Sequence, residues 1–167
     1  MQKKTNSIFL FAALFGLGVS LTIHVISYFT PQVIGMFAYS YAIHLFALLM
    51  VIPTIGAMDR ISKTDNWRLM WESLKQEIPK ALQWIGGFLF MYALFNFFYN
   101  FMVLNEGAQV CIAEGESVLA SSEGILKKLS TDDYYTHKAF SLRTDSAYWL
   151  LFFYLQSTLM FIDIEGD

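Results

Sequence analysis

The side chains through which this chain could do chemistry are few, and most stand among apolar neighbours. His24, His44, Asn96, Asn100 and Gln156 each interrupt a long hydrophobic run. Inside a membrane such groups are candidates for a proton, ion or ligand site, although bonding one helix to another is their commoner use. At ~1.5 Å per helical residue, His24 sits about 7 Å from the outer end of its helix and His44 about 16 Å from the outer start of its own. Asn100 falls near the level of His24, whereas Asn96 and Gln156 fall near that of His44. His44, Asn96 and Gln156 are therefore expected to converge at mid-membrane, either as structural glue or as a site.

Other chemistries find less support. A bis-His haem needs two imidazoles on opposite sides of one iron, yet the two histidines differ by about 9 Å in depth. The third, His137, lies near Asp133 and reads as a solvated surface residue. There is no Gly-rich phosphate loop, no Cys/His cluster with metal spacing and no serine elbow. The acids Glu106, Glu114, Glu116, Glu123, Asp132 and Asp133 match no calcium loop and read as a solvated face. Cys111 is the single cysteine, which excludes an internal disulfide; it reads as a small apolar filler. No cofactor and no metal are expected.

The elements that must position these residues follow from where the charges fall. Of 167 residues, 56% are hydrophobic and 15% charged, and mean hydropathy is +0.45. A soluble domain carries roughly a quarter charged residues. Here the charges gather between four apolar stretches: Ser7–Phe29, Val33–Met58, Ala81–Asn105 and the shorter Ala147–Ile164, which has Asp163 near its end. About 20 residues suffice to cross ~30 Å of hydrocarbon. The first stretch follows Lys3 and Lys4 like a signal peptide but runs well past the ~7–15 residues of a secretory core, and is expected to stay as a helix. The fold class is thus an all-α membrane bundle of four spans.

Lys and Arg set the expected orientation. Seven (Lys3, Lys4, Arg60, Lys63, Arg68, Lys75, Lys80) lie at the N-terminus and in the second loop, against four (Lys127, Lys128, Lys138, Arg143) in the third. Both termini are expected in the cytoplasm. Trp67, Trp71, Leu74 and Ile78 recur at helical spacing after Thr64-Asp65, so residues 64–79 predict an amphipathic helix in the interface, with Pro79 in the first turn of span three. Trp67, Trp71, Trp84 and Trp149 are expected as interfacial anchors. Ala12, Gly16, Ser20 and His24 form a small-residue stripe, read as the packing seam against span two across the turn Thr30-Pro31-Gln32.

Residues 106–146 predict an extracytoplasmic cap. Gln109–Ala113, Ser117–Ala120 and Ile125–Leu129 read as short strands punctuated by Gly107, Gly115 and Gly124. Ser130 and Asp133 resemble a capping box. No Gly or Pro follows before Glu165, and Tyr135, Ala139, Leu142, Ser146 and Trp149 share a face, which predicts one helix from cap into span four.

Three segments carry a family resemblance: IHVISYF with YAIHLFALLMVIP, then IPKALQWIGGFLFMYALFN, then the cap and last helix. With His24, His44, Pro53, Pro79, Trp84, Tyr92 and Asn96 in the expected order, the chain resembles a family of small, functionally uncharacterised bacterial four-helix membrane proteins. That family's Gly-His-Trp before the last span is replaced by Asp145, Ser146, Ala147 and Tyr148 ahead of Trp149, so no role of that histidine transfers. The resemblance implies a shared fold and a bacterial origin, with an inner-membrane location expected, and no established activity comes with it.

Three functions stay open. The first is a non-catalytic scaffold or accessory subunit, whose partners are the bilayer and another protein or a second copy. The second is an oligomeric carrier or channel using His44, Asn96 and Gln156. The third is a lipid- or quinone-linked enzyme using His24. A net charge of −3 without a basic tract argues against nucleic acid.

Overall fold

The computed structural model describes residues 2–29, 38–62, 66–104, 106, 108–113 and 115–165, and the side chains of these except 2–4, 38–41 and 67. The turn Thr30-Pro31-Gln32, the first residues expected of span two, the Thr64-Asp65 start signal, Asn105, Gly107, Glu114 and the Trp67 side chain lie outside the described residues.

Four helical stretches are long and apolar enough to cross a membrane: Thr5–Phe29, Ala42–Ser62, Lys80–Leu104 and Thr131–Glu165. The first lies within α1 (Gln2–Phe29). The second is α2 (Ala38–Leu49) and α3 (Val51–Ser62), separated by a turn at Met50. Pro53 is the cause, because it has no N–H to give to the carbonyl of Leu49. Thr54 repairs the ladder one step on, its N and Oγ1 donating to Met50 O at 3.3 and 2.6 Å. This helix also continues past the expected end at Met58 to Ser62.

A short helix, α4 (Trp67–Glu77), packs on α3. Asn66 caps it, its side chain accepting from Arg68 N at 3.0 Å and Leu69 N at 3.3 Å. Leu74 is its buried contact, whereas Trp71 is half exposed. Pro79 stands one residue ahead of α5 (Lys80–Phe98) rather than inside its first turn. Gln83 then donates to Lys75 O and Ile78 O, both at 2.7 Å, so the first turn of α5 satisfies the open carbonyls at the end of α4. A π-helical segment (Tyr99–Leu104) finishes the third span.

The cap is an antiparallel meander, β1 (Gln109–Ala113), β2 (Glu116–Ser121) and β3 (Gly124–Lys128), in that spatial order. Gly115 and Gly124 take φ of 82° and 130°, backbone that L side chains resist, at the two turns. A bulge at Leu119/Ala120 bends β2. Ala108, Leu119 and Leu129 pack with Val110 and with Tyr134 of α6 (Thr131–Glu165), which pins the sheet on that helix. Ser130 donates to Asp133 Oδ2 at 2.8 Å and accepts from Asp133 N at 3.1 Å, which starts α6 as expected.

The 35 residues of α6 reach about 52 Å, well beyond ~30 Å of hydrocarbon, so its first turns project into the cap. α6 is the central strut: 67% of its most apolar stretch is buried, against 6% of that of the third span. The core comprises Ala13, Ala47, Met50, Trp149 and Phe153. Two expectations change here. The stripe of Ala12, Gly16 and Ser20 does not mark a seam with span two; α1 packs chiefly on α6, and Gly16 faces Phe153. Trp149 is no interfacial anchor: at 2% exposed it belongs to the core, while Trp84 is 80% exposed.

Candidate functional site

At the cap end of the bundle three spans meet at His24, which α1 turns inward one helical turn below Tyr28. Nδ1 of His24 lies 2.8 Å from Ser146 Oγ on α6, and Nε2 lies 2.6 Å from Tyr92 Oη on α5. Tyr92 Oη is in turn 2.9 Å from Tyr28 Oη. The proton directions follow by elimination. Ser146 gives its single hydroxyl proton back to its own helix, to Leu142 O at 2.6 Å and Arg143 O at 3.1 Å. It must therefore accept from His24 Nδ1–H. Neutral His24 then has Nε2 as acceptor, Tyr92 donates to it, and Tyr28 donates to Tyr92. The result is a one-way chain from half-exposed Tyr28 to buried Ser146.

Arg143 closes the site from above. Its Nη2 donates to Ser27 O at 2.9 Å, and its guanidinium carbon lies 4.2 Å from the centre of the Tyr28 ring and 4.3 Å from that of Phe140. Phe140 also touches Tyr99 in the π-helical segment.

The expected midplane set does not assemble. Asn96 Nδ2 donates to Tyr92 O at 2.9 Å within its own helix, and Thr144 Oγ1 reaches Asn96 O at 3.3 Å. Gln156 Nε2 donates to Ala47 O at 3.1 Å, a tie from α6 to α2. His44 lies edge-on to Trp149, ring centres 4.9 Å apart, beside an apolar groove of about 240 Å³ with Tyr148 and Phe152. Asn100 does not join His24: its Oδ1 is buried without a partner among the described residues, as is Gln156 Oε1. A shared depth along parallel helices says nothing about which way each residue faces, and facing decides the bond.

A second polar cluster lies at the opposite end. Asp163, 5% exposed, takes two bonds from Arg60 Nε at 2.9 and 3.1 Å, one from Arg60 Nη2 at 2.7 Å and one from Asn6 Nδ2 at 2.8 Å. Thus α1, α3 and α6 are tied by one carboxylate. The signal was available in the sequence, since an acid at the end of an apolar span calls for a cation at equal depth, and Arg60 ends the second span. Tyr28, one turn from His24, carried a similar signal. Nothing in the sequence pointed to Ser146 as a histidine partner.

Among the described residues no three His, Cys, Asp or Glu side chains stand close enough to hold a metal ion. The four candidate spans and the inward-facing polar clusters define the class: this is a multi-pass membrane protein. No family model matches the chain, nor does any curated protein or solved structure.

Proposed function

We propose that the protein is a non-catalytic scaffold or accessory subunit of a membrane complex, lying in a bacterial inner membrane with both termini cytoplasmic and the cap outside. One observation carries the reading: the cap is fixed to the strut of the bundle. The Ala108, Leu119, Leu129 and Tyr134 cluster ties the sheet to α6, which runs unbroken into the membrane. The exposed apolar residues Ile112, Ile125 and Leu126 are thereby presented at a set height and angle, as recognition of a partner protein requires. The Lys/Arg asymmetry supports the orientation.

The test is native mass spectrometry of the protein taken from its own membrane in mild detergent. A hetero-complex of fixed stoichiometry is expected, lost when Ile112 and Ile125 become Ser and retained when Trp84 does. A monomer, or a complex indifferent to the cap substitutions, overturns the reading.

A second reading, an enzyme acting on a membrane-soluble substrate, rests on the ordered Tyr28–Tyr92–His24 chain at the cap end. It would show as a lipid or quinone that co-purifies and is chemically altered. The carrier reading draws no support from His44, Asn96 and Gln156, which bond elsewhere.

A further inference from the structure

We propose that Arg143 holds the phosphate of an anionic lipid headgroup at the cap end of the bundle. Arg143 lies one turn before the apolar stretch that begins at Ala147, level with Ser27 and Tyr28 at the end of α1, hence at the edge of the hydrocarbon. Its charge has no counter-ion among the described residues. The ion pairs there are Arg60–Asp163, Arg68–Glu72 and Lys128–Glu116. Asp145, two residues on, faces another way and stands in the fields of His44 and Lys138. A cation at the hydrocarbon edge pairs with backbone carbonyls or opposite charges, and basic sites between spans take anionic headgroups.

The geometry selects the anion. Arginine has five N–H donors; one is used on Ser27 O and that of Nε is buried, which leaves the second proton of Nη2 and the two of Nη1 for a ligand. Aromatic rings of Tyr28 and Phe140 pack against the guanidinium, so its remaining donors point along its edge. An edge-on guanidinium matches the paired oxygens of a phosphate, where a lysine would offer only a point charge. Tyr28 Oη, its proton given to Tyr92, is left to accept from a hydroxyl or ammonium group of the same headgroup. Phe140 also packs on Tyr99 of the π-helical segment, and such segments recur at functional sites.

The full chain is reconstituted in phosphate-free galactolipid vesicles, and arginine modification by phenylglyoxal is followed by peptide mass spectrometry. Adding a minority of phosphatidylglycerol should slow modification of Arg143 about tenfold while Arg68 is little changed. The same protection by inorganic phosphate would keep the site and assign its phosphate to a soluble source. Protection by neither, or equal slowing at Arg143 and Arg68, overturns the proposal. As a second measurement, Arg143→Gln should lower the phosphatidylglycerol retained in native mass spectrometry about tenfold relative to Arg68→Gln. Equal retention in the two variants overturns it as well.

Discussion

A Cβ on Gly16 would stand 2.5 Å from the ring of Phe153, so the first and last spans touch where one of them has no side chain. Phe153 is fully buried, and its ring fills the space that Gly16 leaves. Gly16→Leu is expected to cost about 1–3 kcal/mol by overpacking, read as a lower unfolding midpoint in detergent. Phe153→Ala should relieve much of that penalty when combined with Gly16→Leu. A double variant no better than the sum of the two places the contact elsewhere.

The one-way chain at His24 makes an ordered prediction. Tyr92→Phe leaves His24 Nε2 without a donor and Tyr28 without an acceptor, and should cost about 0.6–1.7 kcal/mol. Tyr28→Phe removes only the exposed outer link and should cost less. Thermal unfolding of both single variants and the double checks the order; a larger loss for Tyr28→Phe would reverse the chain.

At the opposite end, Asp163→Ala leaves Arg60 facing a buried gap and strands Asn6. Breaking a buried pair costs about 3–5 kcal/mol, and the low end is expected because the Arg60 side chain, 34% exposed, can turn to water. Replacing both partners, Arg60→Met with Asp163→Leu, should recover most of the loss. Denaturation midpoints of single and double variants decide this.

Rigid coupling of cap and bundle can be measured directly. Spin labels at Thr136 and Phe152, both exposed on α6, should lie about 24 Å apart along the helix, 16 rises of ~1.5 Å, with a narrow distribution. Leu142→Pro removes a helical hydrogen bond and should broaden it, at about 3 kcal/mol. A broad distribution in the parent chain would mean a hinge, and would remove the basis of the scaffold proposal.

The orientation is tested at Cys111, half-buried in β1. After mild unfolding of the cap, a membrane-impermeant maleimide should label it in intact cells. Labelling only after lysis would invert the topology.

Sequence alone determined the features that depend on one segment at a time. Length and hydropathy delimit spans, since a stretch without charges has nowhere else to be stable. Gly115 and Gly124 punctuate the strands, Ser130 and Asp133 start α6, and the absence of a breaker lets it run to Glu165. Val33–Met58 reads in sequence as one unbroken span; Pro53 within it interrupts the helix at Met50, and Thr54 resumes it. Tertiary structure decided the pairings. Spans adjacent in the chain were expected to be the closest neighbours, yet the first span packs chiefly on the last, which no helical period encodes. Trp149 has the composition of an anchor and the environment of a core residue, because α6 is surrounded and α5 is not. His24 and His44 look alike in sequence. One became the hub of a three-helix hydrogen-bond chain and the other the edge of an apolar groove, because helix rotation and not depth selects a partner.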